Sequence, residues 1–83
     1  MPIVAIINGI AIAFYYDEHP PPHFHARFAE FQAQIDIDTL NVIKGMLPNP
    51  QLQIVKKWAA TRKEQLRSAW TKCQSDHPPG KIR

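Results

Sequence analysis

The sequence predicts an α+β domain: an antiparallel sheet of about five strands with one long C-terminal helix packed on its apolar face. Three observations carry this expectation. Asn8-Gly9 separates two apolar runs, residues 31–38 alternate apolar and polar without a fault, and apolar residues recur at helical spacing from Leu52 to Cys73. The domain is expected over residues 1–73, with 74–83 as a flexible polar tail.

The elements follow in order. "IVAII" and "IAIAF" flank Asn-Gly, the strongest short-range hairpin signal, so a two-residue turn pairs Ile7 with Ile10, Ala5 with Ile12 and Ile3 with Phe14. Val4, Ile6, Ala11 and Ala13 then form a second apolar face, which must be covered by the fold, a partner or another copy. Prolines 20–22 end the strand stiffly. In "HFHARF" and "FQAQIDID", a turn at Ala29-Glu30 pairs Phe28 with Phe31, Ala26 with Ala33 and Phe24 with Ile35, so each core residue meets another. "DTLN" turns the chain into a last strand within "LNVIKGML". Asn49 is a suitable N-cap and Pro50 a suitable first helical residue, so a helix is expected from there to about Cys73. Its apolar stripe holds Leu52, Val55, Trp58, Ala59, Leu66, Ala69, Trp70 and Cys73. Arg62 falls inside that stripe, and its head is expected to find a carboxylate.

Composition narrows the functional class. A chain of 83 residues supports one modest core. Cys73 is the only cysteine, so no internal disulfide can form, and a reduced, cytoplasmic setting is expected. No stretch reaches the ~18–20 apolar residues of a membrane helix. Charge divides along the chain: residues 1–40 hold one arginine and five acids, whereas residues 41–83 hold nine Lys/Arg and two acids. The basic half suits a polyanion, an acidic partner or simple solvation.

The chemistry concentrates at "DEHPPPHFHARF", where three of the four histidines fall within seven positions. If Phe24, Ala26 and Phe28 face the core, pleating sends His23, His25 and Arg27 to the opposite face. The same register places Asp36 opposite His23. Three readings stay open. His23 and His25 could act as base and acid on an RNA phosphodiester, with Arg27 stabilising the phosphorane and Asp36 orienting an imidazole, a metal-independent ribonuclease guided by Lys56, Lys63 and Arg67. Alternatively, His19, His23 and His25 could ligate zinc or another transition metal, with Asp36 as a further candidate ligand. Or the rings could simply close the proline loop by hydrogen bonds to backbone.

The runs "MPIVAIINGIAIAFYYDEHPPPHFHARF", "FQAQIDIDTLNVIKGMLP" and "VKKWAATRKEQLRSAW" resemble the small bacterial proteins of the domain of unknown function 4160 family, most specifically in "DEHPPPHFHA". Ala29 stands where that family usually has a hairpin Gly, and Ala13 where a basic residue is expected. Members are commonly encoded beside another small protein. The resemblance therefore implies a component of a toxin–antitoxin-like pair, the toxin side acting on RNA, with a small antitoxin-like partner and a homo- or hetero-oligomeric state. The alternative is a noncatalytic interaction module whose histidines are structural or hold a metal.

Overall fold

The computed structural model describes residues 2–83. Five strands, β1 (Ile3–Ile7), β2 (Ile10–Ala13), β3 (His23–Phe28), β4 (Phe31–Asp36) and β5 (Val42–Met46), pair in sequence order as an antiparallel meander. Asn8 and Gly9 both take positive φ, 48° and 79°, which lets a two-residue turn match the twist of its strands. Ile7 faces Ile10 and Ala5 faces Ile12, as expected, but a register shift between Ile3 and Ala5 makes Ala13, not Phe14, the partner of Ile3. The shift turns Val4 into the core, where it is 1% exposed.

The β3–β4 hairpin has the expected register throughout, from His23 opposite Asp36 to Phe28 opposite Phe31. Ala29 supplies the turn at φ 52°, a left-handed conformation that favours Gly or Asn. In β5, Gly45 lies at φ 76° against the backbone of β4. A Cβ there would overlap Gln32 O and sit 3.3 Å from Ala33 Cα.

One long helix is not what forms. The chain makes two helices, α1 (Asn49–Ala60) and α2 (Lys63–Gln74). Pro48, not Asn49, occupies the position before the first turn, and Leu52 N–H donates to its carbonyl at 2.9 Å. The break needs neither Gly nor Pro, because Arg62 ends α1 with its own groups. Its backbone N–H donates to Ala59 O at 2.9 Å, its NH1 donates to Trp58 O at 2.9 Å, and its guanidinium lies 5.1 Å from the Trp58 ring centroid. Orphan carbonyls at the helix end are thereby satisfied. The head of Arg62 thus meets a carbonyl rather than a carboxylate.

Phe24, Ala26, Ile35 and Ile37 from the sheet join Val55, Ala59, Leu66, Ala69, Trp70 and Cys73 from the helices in one core. Burying such aliphatic and aromatic side chains stabilises a fold by roughly 1.5–3 kcal/mol each before chain entropy is counted. The C-terminal stretch, expected as a free tail, runs back along β1 instead. Ile82 N–H donates to Val4 O at 2.9 Å, Lys81 Nζ donates to Ile3 O at 3.1 Å, and Ile82 is 7% exposed. Of the second apolar face, Val4 and Ala13 are buried and Ile6 stays 70% exposed. No helix among the described residues is long and apolar enough to cross a membrane.

Candidate metal centre

Unshifted pairing keeps residues 23, 25 and 27 on one face of β3, but their exposure differs sharply. His23 and His25 are buried, 5% and 4% exposed, whereas Arg27 is exposed. The cover comes from the loop between β2 and β3. Glu18 in that loop turns its carboxylate onto both imidazoles: Oε1 lies 2.6 Å from His25 Nε2, and Oε2 lies 3.2 Å from His23 Nε2. The α2 helix holds this loop in place, since Gln74 Nε2 donates to Glu18 O at 2.9 Å. At the other end of the loop, Ile37 N–H donates to Pro22 O at 3.1 Å.

The tautomer of His23 follows from its partners. Pro21 O can only accept, so Nδ1, 2.8 Å away, carries the proton. The lone pair of a neutral ring is therefore on Nε2. That nitrogen is buried and makes no aligned hydrogen bond, although Glu18 Oε2 is within ion-pair distance. Two acceptors facing each other in a buried place repel unless a proton or a metal ion lies between them. Donor atoms of Glu18, His23 and His25 all fall within 4.8 Å of one another. Two imidazoles and one carboxylate form a donor set used by open zinc sites and by non-haem iron(II) sites. The Nδ1–H···O=C bond of His23 is the outer support that metal-bound histidines usually have.

Aromatic rings wall the cluster. Tyr15 stands edge-on to His25 with centroids 4.2 Å apart, and Trp70 lies 5.1 Å from His23. Burial lowers the pKa of His25, opposed by its hydrogen bond to Glu18 and by that carboxylate's charge. Two open hollows flank the group. One, ≈ 250 Å³, is bounded by Glu18, His19, Pro21, His23, Gln34 and Ile43 among others; the other, ≈ 240 Å³, by His25, Gln32, Ala33, Gln34, Lys44 and Gly45. Gln34 belongs to both.

Residues 9–71 match the family model described as Domain of unknown function (DUF4160). The chain belongs to the DUF4160 family. No curated protein and no solved structure matches it.

Other expected site residues of this DUF4160 chain are distributed differently. His19, a candidate ligand, is exposed at the rim of a hollow, and Glu18 takes its place in the donor group. Asp36 does stand opposite His23, but its Oδ1 accepts from the backbone N–H of Asp38 and Thr39 and closes the β4–β5 turn. Lys63 Nζ donates to Asp38 O, and Arg67 Nε and NH2 both donate to Asp38 Oδ1. Lys56 is on α1, across the helix break from these two. The intended RNA-guiding stripe is thus split between two helices, and two of its three cations brace a turn. Sequence reasoning missed Glu18. The available signal was an acid immediately before His-Pro-Pro-Pro-His-x-His.

Proposed function

We propose that this DUF4160 domain binds one divalent transition-metal ion, of the zinc or iron(II) class, through Glu18, His23 Nε2 and His25 Nε2. The observation that supports it is the buried, hydrogen-bond-free Nε2 of His23 facing a carboxylate. An ion entering there displaces the proton shared by His25 and Glu18, so uptake releases protons and weakens at low pH. Three protein ligands would leave a fourth position open, and each hollow borders at least one of them, the arrangement of sites where a metal acts as a Lewis acid on a bound ligand.

This reading is favoured over a metal-independent ribonuclease because imidazoles only 5% and 4% exposed cannot meet a polymer backbone unless Glu18 and its loop move aside. The test uses untagged protein, calorimetric titration with zinc, and elemental analysis. One ion per chain is expected. Glu18→Gln and His23→Gln should lower affinity by about tenfold or more, from the usual cost of losing a ligand or its support. His19→Ala should change it less than about threefold, because His19 is no part of the donor group. Zinc affinity that is absent in the wild type, or indifferent to Glu18→Gln, refutes the proposal.

A further inference from the structure

The hollow beside His25 contains a cation that the proposed metal site does not use. Lys44 is exposed on β5, lines the hollow with His25, Gln32 and Gln34, and has no hydrogen bond or ion pair among the described residues. Lys63 and Arg67 are engaged with Asp38, Arg62 with Trp58 O and Lys81 with Ile3 O, whereas other lysines without a partner among the described residues, such as Lys56 and Lys72, lie on the helices and line neither hollow. Lys44 is thus a free ammonium group at the edge of a concave surface floored by amides.

Strand register gives its distance from the metal ligands. His25 pairs with Gln34, and Gln34 pairs with Lys44, so the three stand side by side across β3, β4 and β5 on one face. Neighbouring Cβ atoms in such a row are about 4.5–5.5 Å apart. An extended lysine side chain covers about half of the ~10 Å from its own Cβ to that of His25, and the imidazole with its ion reaches toward it from the other end. Its ammonium group can then stand about 5–6 Å from an ion on His25. Metal–oxygen contacts near 2 Å and ammonium–oxygen contacts near 2.8 Å leave room for a single tetrahedral oxyanion between them.

Resting on the metal reading above, we propose that the hollow binds a phosphate monoester dianion, one oxygen on the metal and another on Lys44 Nζ, with the Gln34 amide donating between them. Charge selects this class. A divalent ion and Lys44 together, less the Glu18 carboxylate, leave two positive charges around the ligand. A monoester dianion neutralises them; a diester or a carboxylate, with one charge, does not. Lysine serves phosphate as a point charge, so the site needs no planar fork.

The test titrates zinc-loaded protein with phenyl phosphate, dimethyl phosphate and acetate, following heat and the phosphorus resonance. Phenyl phosphate should bind at least tenfold more tightly than the other two. Lys44→Met should weaken it by at least tenfold while zinc content and zinc affinity stay unchanged, and Lys44→Arg should recover part of the loss. Equal phenyl phosphate affinity in wild type and Lys44→Met overturns the inference and leaves the metal site standing. Equal affinity for dimethyl phosphate overturns the monoester class. Failure of the wild type to take up zinc overturns both proposals at once, and the zinc titration alone reveals it.

Discussion

Gly45 offers a direct check on the backbone that shapes the hollow. Alanine at this position pays twice. The left-handed φ of 76° costs an L-residue roughly 1–2 kcal/mol. The added Cβ also overlaps Gln32 O, with Gln32 C at 3.2 Å and Ala33 Cα at 3.3 Å. These are backbone atoms of β4, held on the other side by β3, so they cannot rotate away as a side chain would. Forcing atoms into a packed region of this kind costs typically 1–3 kcal/mol. Gly45→Ala should therefore destabilise the domain by about 2–5 kcal/mol, a large share of the ~4–12 kcal/mol expected for a chain this long.

Gly80 separates the two contributions. It has nearly the same φ, 77°, but a Cβ there meets nothing within 4 Å. Gly80→Ala should cost only the conformational part, about 1–2 kcal/mol. Urea unfolding followed by the fluorescence of Trp58 and Trp70 measures both variants. The difference between them is the steric contribution of the β4–β5 contact. A Gly45→Ala loss no greater than that of Gly80→Ala would refute the close approach of the strands, and with it the wall of the Lys44 hollow.

Ala29→Gly should raise stability by about 0.5–1 kcal/mol, since relief of the left-handed strain at φ 52° exceeds the extra freedom glycine gives the unfolded chain; urea midpoints compare the two. Metal-free protein should lose stability on acidification. His25, facing Glu18, His23 and Tyr15, has a folded pKa below its ordinary value of 6.5, so the unfolded chain binds more protons in that range. Its contribution is complete above about pH 6.5 and is lost as pH falls through the lower folded value; denaturation at pH 7.5 and 5.0 shows the slope, and His25→Gln should flatten it. Cys73, fully buried and with its pKa raised by burial and then by the Glu18 charge, should react with a disulfide reagent only as fast as the chain opens. Rapid stoichiometric labelling of the folded protein would contradict that.

Much of the sheet was legible because period-two patterning admits few registers. Every β3–β4 pair follows once Phe24, Ala26 and Phe28 are sent inward against Ile35, Ala33 and Phe31. The slip at Ile3 was hidden, since Ile3, Val4 and Ala5 are all apolar and none objects to either face. The helix break was hidden for a related reason. Ala59 and Leu66 are seven residues apart, close to two full turns, so the stripe continues in phase across Thr61 and Arg62. What ends α1 is a guanidinium folding back onto Trp58 O, a tertiary use of a residue whose propensity favours helix.

The site shows the same limit more sharply. Alternation correctly grouped His23, His25 and Arg27, but it describes directions along a strand and says nothing of what covers them. Glu18 lies outside the alternation, in a loop whose path depends on Gln74 some 56 residues away. Once that loop closes, the two imidazoles exchange water for a carboxylate, and their chemistry changes with the exchange. Exposed histidines beside Arg27 suit proton transfer to a solvent-borne substrate; buried ones sharing Glu18, with one ring's N–H already committed to Pro21 O, bring their donor atoms and the carboxylate within 4.8 Å of one another. The strand pattern located the residues, and the carboxylate from the loop is what the proposed metal site adds to them.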